Sequence, residues 1–151
     1  MSIPLIDIEP YLLGDETNKK AVAKLIDEAC TDIGFLIING HGVSKDLIEN
    51  MNTVSHEYFD LPYWEKMKFK MPSDRYRGYT SFGSENLAAS LDEVVPPDLK
   101  ESFSMGPFNH RYDEYHYGEN GSRFFAPNFW PEKPSSMKNI WEKYFLEMEK
   151  L

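Results

Sequence analysis

The sequence predicts an α+β fold in which helices pack on a few short strands, and three observations support this prediction. Apolar residues recur at helical spacing in three segments, residues 16–32, 45–61 and 135–151. The apolar run Phe35–Ile38 is rich in β-branched side chains and lies between glycines, which is typical of a strand. Two further short strands are predicted at residues 75–80 and 101–105.

The first predicted elements are a strand and a long helix. Pro4 stands near the start of the apolar segment 3–8, and a proline is tolerated there on an edge strand because it has no N–H to donate. Asp15 or Thr17 can cap the helix that follows, which we expect to end near residue 32. Cys30 lies on the apolar face of this helix, so we expect its thiol to be buried.

The strand and turn after this helix organise the rest of the chain. Phe35–Ile38 is continuously apolar, so we expect a strand that is buried on both faces. Gly40 and Gly42 flank His41 and permit a sharp turn. We interpret His41 as a hydrogen-bonded residue of this structural turn rather than as a metal ligand. Ser44 then caps the next helix.

Prolines and glycines mark the remaining boundaries. The second helix should stop near Leu61, because Pro62 restricts the residue before it, and Pro62 suits the first turn of a short helix that ends near Met67. We expect a loop at residues 83–100. We expect a long, packed, irregular segment at residues 106–134. The last helix, residues 135–151, has no stop signal, so we expect the domain, residues 1–151, to be truncated within it.

Composition narrows the possible functions. The 151 residues suffice for one domain with a core, and the net charge of −9 disfavours a nucleic acid or an anionic membrane as a partner. The single cysteine cannot form an internal disulfide, which favours a reducing compartment. No apolar run reaches the roughly 18–20 residues that span a bilayer, and the N-terminus lacks a signal-peptide pattern. We therefore expect a cytoplasmic protein.

Six short motifs follow one another along the chain. They are Ile3–Asp7, Gly34–Val43, Leu61-Pro62 with Glu65-Lys66, Arg77–Tyr79, Lys100–Gly106 and Asn128–Pro131. In order and spacing they resemble the N-terminal region of the isopenicillin-N-synthase-like family of non-haem Fe(II), 2-oxoglutarate-dependent dioxygenases. The resemblance covers essentially the whole chain.

The resemblance implies a downstream double-stranded β-helix, or jelly roll, whose sheet the present strands would extend. In this family a His-x-Asp pair and a distant second His hold the iron, and an Arg binds the 2-oxoglutarate carboxylate. The four histidines here are followed two residues later by neither Asp nor Glu. We therefore expect no catalytic residue and no metal site in this chain, and Fe(II) and 2-oxoglutarate are implied only for the complete family enzyme.

Five residues are candidates for contact with the substrate: Arg75, Arg77, Tyr79, Glu101 and Phe103. Arginine presents a planar fork suited to a carboxylate, and tyrosine adds a hydroxyl. The resemblance implies that the first of the two strands lies near the mouth of the oxygenase pocket. The alternatives are a surface ion pair of the arginines with Asp74 or Glu85, and simple strand packing for Glu101 and Phe103.

The expected function is the scaffold and substrate-side part of such a dioxygenase, with the downstream jelly roll as its partner. The complete enzyme would couple oxidative decarboxylation of 2-oxoglutarate to hydroxylation, desaturation or ring closure of a small molecule. The present chain alone is expected to be inactive. The alternative is a free-standing, non-catalytic interaction module that kept the fold. Downstream coding sequence with a His-x-Asp pair and a distal His would favour the dioxygenase over the interaction module.

Overall fold

The computed structural model describes residues 2–85 and 96–151. Its elements in chain order are β1 Leu5–Asp7, α1 Glu9–Leu13, α2 Glu16–Asp32, β2 Ile37–Asn39, α3 Lys45–Phe59, α4 Tyr63–Met67, β3 Gly78–Thr80, β4 Ser102–Ser104, α5 Glu114–Tyr117 and α6 Met137–Met148. This mixture of helices with a few short strands agrees with the predicted class. The contacts divide the chain into two units, Met1–Glu49 with Lys143–Leu151, and Asn50–Glu142. No helix of the described residues is long and apolar enough to cross a membrane.

The first unit contains a two-stranded parallel sheet and the helices that connect its strands. β1 pairs with β2 so that Ile6 lies opposite Ile38. The predicted cap of α2 is confirmed, because the Asp15 carboxylate accepts the backbone N–H groups of Thr17 and Asn18, both at 3.0 Å. The buried cluster of this unit consists of apolar residues from β1, its end and α2, namely Ile6, Ile8, Val22 and Ala29.

The prediction that Phe35–Ile38 is a strand buried on both faces is wrong. The strand begins at Ile37, and the side chains of Phe35 and Ile37 are 69% and 53% exposed. Only Leu36 of this run packs against the buried cluster. Burial of both faces of a strand requires packed layers on both sides of the sheet, and within the described residues Phe35 and Ile37 lack such cover.

The prediction of a buried Cys30 is also wrong, because the structure exposes this thiol. The buried stripe of α2 is narrower than its apolar pattern: Val22 and Ala29 are buried, whereas Leu25 is 50% exposed. Adjacent helical positions differ by about 100° around the axis, so Cys30 points away from the cluster that buries Ala29.

The glycine turn after β2 has the geometry that its sequence suggests. Gly40 has φ +68°, and a Cβ there would lie 2.9 Å from the backbone nitrogen of Glu9. Gly42 has φ +75°. Between them, His41 Nδ1 accepts the backbone N–H of Val43 at 3.1 Å. His41 therefore makes a hydrogen bond within the turn.

The second unit contains an antiparallel pair, β3 and β4, and the helices and loops around it. Tyr79 lies opposite Phe103 in the register. The predicted helix ends hold, since α3 ends at Phe59 and α4 runs over Tyr63–Met67 after Pro62. Of the predicted loop 83–100, residues 86–95 lie outside the described residues. The irregular segment 106–134 contains the short helix α5, and the predicted last helix is observed as Met137–Met148.

The buried cluster of the second unit lies beside the β3–β4 pair. Its buried members come from three elements, namely Val54, Tyr58, Tyr79, Met137 and Trp141. Tyr58 contacts Tyr79 edge to face, with ring centroids 6.2 Å apart. This cluster places β3 and β4, and with them the candidate substrate residues.

Candidate functional site

Three of the five candidate residues come together on the β3–β4 pair. Tyr79 on β3 and Phe103 on β4 face each other in the register, and Glu101 directly precedes β4. Tyr79 is fully buried, whereas Glu101 and Phe103 are half-buried. A fourth residue, Lys66 at the end of α4, joins them and is itself 7% exposed.

Lys66, Tyr79 and Glu101 form one hydrogen-bonded cluster. Lys66 Nζ donates to Glu101 Oε2 at 2.8 Å and to Oε1 at 3.0 Å, and it also donates to the backbone oxygen of Phe59 at 2.7 Å. The Tyr79 hydroxyl donates to Glu101 Oε2. The ammonium group is therefore fully partnered in a place with little water, which is what a buried charge requires.

The electrostatics of this cluster agree with its geometry. Burial alone would raise the pKa of the Glu101 carboxyl, but the hydrogen bonds from Lys66 and Tyr79 and the charge of Lys66 outweigh burial and lower it. Burial, followed by the hydrogen bond to Glu101, raises the pKa of the Tyr79 hydroxyl. Glu101 is therefore held as a carboxylate, and Tyr79 as a neutral hydrogen-bond donor.

Sequence reasoning did not identify Lys66 as part of the site. It lies 35 residues from Glu101 along the chain, and its neighbour Lys68 has the same charge but pairs with Glu65 at the surface. The available signal was the Glu65-Lys66 motif that follows Leu61-Pro62 in the resemblance. The spacing of this motif does not determine whether the side chain of Lys66 or that of Lys68 is buried.

Phe103 belongs to an aromatic group within the second unit. Its ring lies 5.1 Å from that of Tyr58 and 5.6 Å from that of Trp141, both edge to face, and 6.2 Å from that of Trp130. These separations are typical of favourable aromatic pairs. These contacts are the ones expected if Phe103 packs the strand against its neighbours, which is the alternative to substrate contact.

Arg77 is buried and bonds to backbone oxygens rather than to a carboxylate. Its Nη1 donates to the oxygen of Tyr76 at 2.8 Å, and its Nη2 donates to the oxygen of Phe124. A Cβ at Gly106 would collide with this guanidinium in its observed position. Burial lowers the pKa of Arg77. Arg77 thus ties the segment around Phe124 to the start of β3.

Arg75 lies at the surface and pairs with Asp74, as one of the sequence alternatives predicts. Arg75 Nη2 lies 2.8 Å from Asp74 Oδ2, and Nε lies 3.0 Å from Oδ1. The hydrogen bond from Arg75 lowers the pKa of the Asp74 carboxyl. The other predicted partner, Glu85, pairs with Lys100 at 2.8 Å.

Arg75 also lines an open cavity of about 600 Å³ whose charged side chains are all basic. They are Lys70, Arg75 and Arg123, with Tyr76 beside them. The guanidinium of Arg123 lies 4.9 Å from the centre of the Tyr76 ring, a cation–π distance. In a chain of net charge −9 this is a local concentration of positive charge.

The residues present do not fit the iron that the resemblance implies. Among residues 2–85 and 96–151, no group of three or more His, Cys, Asp or Glu side chains could hold a metal ion. His116 Nδ1 lies 2.5 Å from Asp113 Oδ1, and the ring of His110 stacks on that of His116. We therefore assign no step of iron chemistry to these side chains.

Comparison with known families identifies the class of protein. A family model described as non-haem dioxygenase in morphine synthesis N-terminal matches residues 3–133. The chain belongs to this family, and the predicted resemblance is confirmed. It corresponds to the N-terminal region of the 2-oxoglutarate- and Fe(II)-dependent dioxygenases.

Individual relatives make the similarity specific. A homoarginine-6-hydroxylase of Arabidopsis thaliana is 35% identical, over 95% of this chain and 43% of its own length. Validamycin A dioxygenase of Streptomyces hygroscopicus subsp. limoneus is 29% identical, over 99% of this chain and 40% of its own length. The crystal structure of a full-length Neurospora crassa protein in complex with alpha-KG and thymine has a TM-score of 0.73 and 26% identity, covering 98% of this chain and 44% of that chain. The present chain thus spans less than half the length of these relatives.

Proposed function

We propose that this chain is the N-terminal scaffold and substrate-side part of an Fe(II)/2-oxoglutarate-dependent dioxygenase that oxidises a small molecule. The observation that carries the proposal is the family match over residues 3–133, combined with coverage of only 43% of the length of a homoarginine-6-hydroxylase that is 35% identical. In this proposal the His-x-Asp pair, the distal His and the 2-oxoglutarate arginine belong to a downstream jelly roll. The chain alone is then inactive.

The described residues support two separate tasks in such an enzyme. The Lys66–Tyr79–Glu101 cluster and the Arg77 contacts hold β3, β4 and the segment around Phe124 in one arrangement. The cavity lined by Lys70, Arg75 and Arg123 offers positive charge to an anionic group of a substrate, which would compete with Asp74 for the guanidinium of Arg75. The five predicted residues therefore divide into one accessible candidate for substrate contact, Arg75, and four that hold the scaffold.

The relatives support a small-molecule substrate without fixing its identity. Four plant relatives, which are 32% to 35% identical, are named homoarginine-6-hydroxylases. The bacterial relative is named for validamycin A, and the solved Neurospora crassa structure contains thymine. We propose a polar small molecule of this general size.

The decisive experiment compares this chain with the complete polypeptide encoded by its gene. With Fe(II) and ascorbate, the complete polypeptide should convert 2-oxoglutarate to succinate, whereas the purified 151-residue chain should give no succinate above a metal-free blank. Succinate from the short chain would contradict the proposal. A gene with no downstream His-x-Asp and distal His would instead support the non-catalytic interaction module.

Substitution of the two arginines tests the substrate-side role. In the complete polypeptide, Arg75→Ala should raise KM for the oxidised substrate about tenfold or more and leave KM for 2-oxoglutarate unchanged, because a charge-assisted hydrogen bond to the substrate is lost. Arg77→Ala should raise the same KM only indirectly, by displacing β3, and should also lower the melting temperature, because Arg77 is buried and donates to the backbone oxygen of Phe124. Steady-state kinetics with each compound varied separately provide the measurement. If the substrate KM is unchanged in both variants, Arg75 forms only a surface ion pair with Asp74 and Arg77 has only a structural role.

A further inference from the structure

The long segment between β4 and α6 forms a loop that is closed at its base by side-chain hydrogen bonds. Asn128 joins the two ends, because its Nδ2 donates to the backbone oxygen of Gly106 at 2.8 Å and its Oδ1 accepts the Gly106 N–H at 2.9 Å. Near the same base, Arg77 donates to the backbone oxygen of Phe124. We call residues 107–123, which contain α5, the α5 loop. Both ends of this loop are therefore fixed to the rest of the second unit.

The interior of the α5 loop contains a histidine whose ring nitrogens have no partner. Both Nδ1 and Nε2 of His110 are buried, and among residues 2–85 and 96–151 neither has a hydrogen-bond partner. A neutral imidazole has one N–H donor and one acceptor nitrogen, and each costs free energy when it is buried unpaired. The closed loop therefore holds a polar group that would be better solvated if the loop opened.

Three rings pack on His110. The ring centroid of His116 lies 5.0 Å from that of His110 in a stacked arrangement, and the centroids of Tyr117 and Phe125 lie at 5.4 and 5.2 Å. His116 already has a partner, since its Nδ1 lies 2.5 Å from Asp113 Oδ1. Tyr117 and Phe125 are uncharged near neutral pH. A proton added to His110 would thus create a cation beside a second imidazole, and the nearby carboxylate is already bonded to that second imidazole.

The short helix α5 depends on this packing. It comprises Glu114–Tyr117, and the Asp113 side chain caps it by accepting the backbone N–H of His116 at 3.0 Å. The N–H groups of Tyr117 and Gly118 donate to the backbone oxygens of Asp113 and Glu114 at 3.0 and 2.8 Å. A helix of four residues is not stable in water without packing. Loss of the ring contacts should therefore unfold α5 and expose these amides to exchange.

We propose that the α5 loop is a pH-sensitive device that opens when His110 takes up a proton. Burying an unpaired cation costs more than burying a neutral imidazole, so proton uptake favours the open loop, in which water surrounds the ring. An exposed imidazole has a pKa of about 6.5. The closed loop is accordingly most stable above that pH, and it loses stability as the pH falls. The inference concerns the conformation of this chain and does not rest on the proposed enzymatic function.

The test is amide hydrogen exchange of the 151-residue chain, corrected for the intrinsic exchange rate at each pH. If only the open loop binds the proton, the ratio of open to closed loop rises about tenfold between about pH 7.5 and about pH 5.5. The amides of Tyr117 and Gly118 should therefore lose about tenfold in protection. The amide of Tyr79 donates to the Phe69 oxygen at 2.7 Å, outside the loop, and its protection should change little.

Two substitutions at one position remove the proposed device. His110→Phe keeps a ring that can stack on His116 and removes both unpaired nitrogens, and His110→Gln is also uncharged at either pH. Both variants should keep the protection of Tyr117 and Gly118 unchanged between the two pH values. His56→Phe is the matched control, because His56 is an exposed histidine on α3, outside the loop. This control should show the same tenfold loss as the native chain.

Four outcomes would overturn the proposal. The first is equal protection of Tyr117 and Gly118 in the native chain at both pH values, and the second is an equal loss of protection in His110→Phe and in the native chain. The third is an equal loss at Tyr79, since it would show general unfolding rather than opening of the α5 loop. The fourth is the absence of protection in α5 at the higher pH, because there would then be no closed loop to open.

Discussion

Replacing Glu101 by alanine should lower the free energy of unfolding by about 2–4 kcal/mol, because Lys66 would be left in a nearly buried place without its carboxylate partner. The Lys66 side chain is 8% exposed and that of Glu101 is 26% exposed. Because Glu101 is partly exposed, we expect a loss of stability near the lower end of the range that is typical when a wholly buried ion pair is broken. Urea unfolding followed by far-ultraviolet circular dichroism gives the measurement.

A neighbouring lysine supplies the control for this prediction. Lys68 lies two residues from Lys66 on the same short segment and pairs with Glu65 at 2.7 Å, but its side chain is 54% exposed. Lys68→Met should therefore have a small effect, below about 1 kcal/mol, whereas Lys66→Met should be strongly destabilising. Equal effects of the two methionine variants would show that the cluster around Glu101 has no special role.

The pH dependence of stability follows from the same carboxyl group. Since folding lowers the pKa of Glu101, its contribution is fully present above the unfolded pKa of about 4.3 and is lost as the pH falls through the folded value. The stability difference between the native chain and Glu101→Gln should thus be constant near neutral pH and shrink below about pH 4. A difference that grows on acidification would contradict this assignment.

Replacing Gly78 by alanine should destabilise the chain by about 2–6 kcal/mol, since backbone strain and a steric collision add. Gly78 has φ +110°, and a Cβ there would lie 2.6 Å from the backbone oxygen of Phe69 and 2.5 Å from the ring of Phe129. The same Phe69 oxygen accepts the N–H of Tyr79 at 2.7 Å, so it cannot move away without breaking this hydrogen bond between β3 and the segment after α4.

Gly83 separates the two causes. It also has a left-handed backbone, φ +70°, but among residues 2–85 and 96–151 a Cβ there would meet only Pro97 Cγ, at 3.8 Å. Gly83→Ala should therefore lose only the strain energy, about 1–2 kcal/mol. Thermal and urea unfolding of the two variants under one set of conditions would compare them. If both variants lose the same stability, close packing at Gly78 contributes nothing.

Local signals in the sequence determined where α2 begins and where α3 ends. The Asp15 cap and the stop before Pro62 were predictable because each depends on groups only a few residues away. The order and spacing of six motifs likewise sufficed to indicate the family, which the match over residues 3–133 confirms. For the candidate site, the sequence named Tyr79 on β3, Phe103 on β4 and Glu101 directly before β4, and the structure brings these three residues together.

Only the tertiary structure decided which of these groups are partners and which are buried. Lys66 meets Glu101 across 35 residues, and Arg77 meets Phe124 across 47. Such contacts depend on how distant segments pack, and no periodicity along the chain records that packing. The exposure of Phe35, Ile37 and Cys30 has the same origin. An apolar pattern states that a face can be buried, but burial requires a second surface, and the second surface is supplied by another part of the structure.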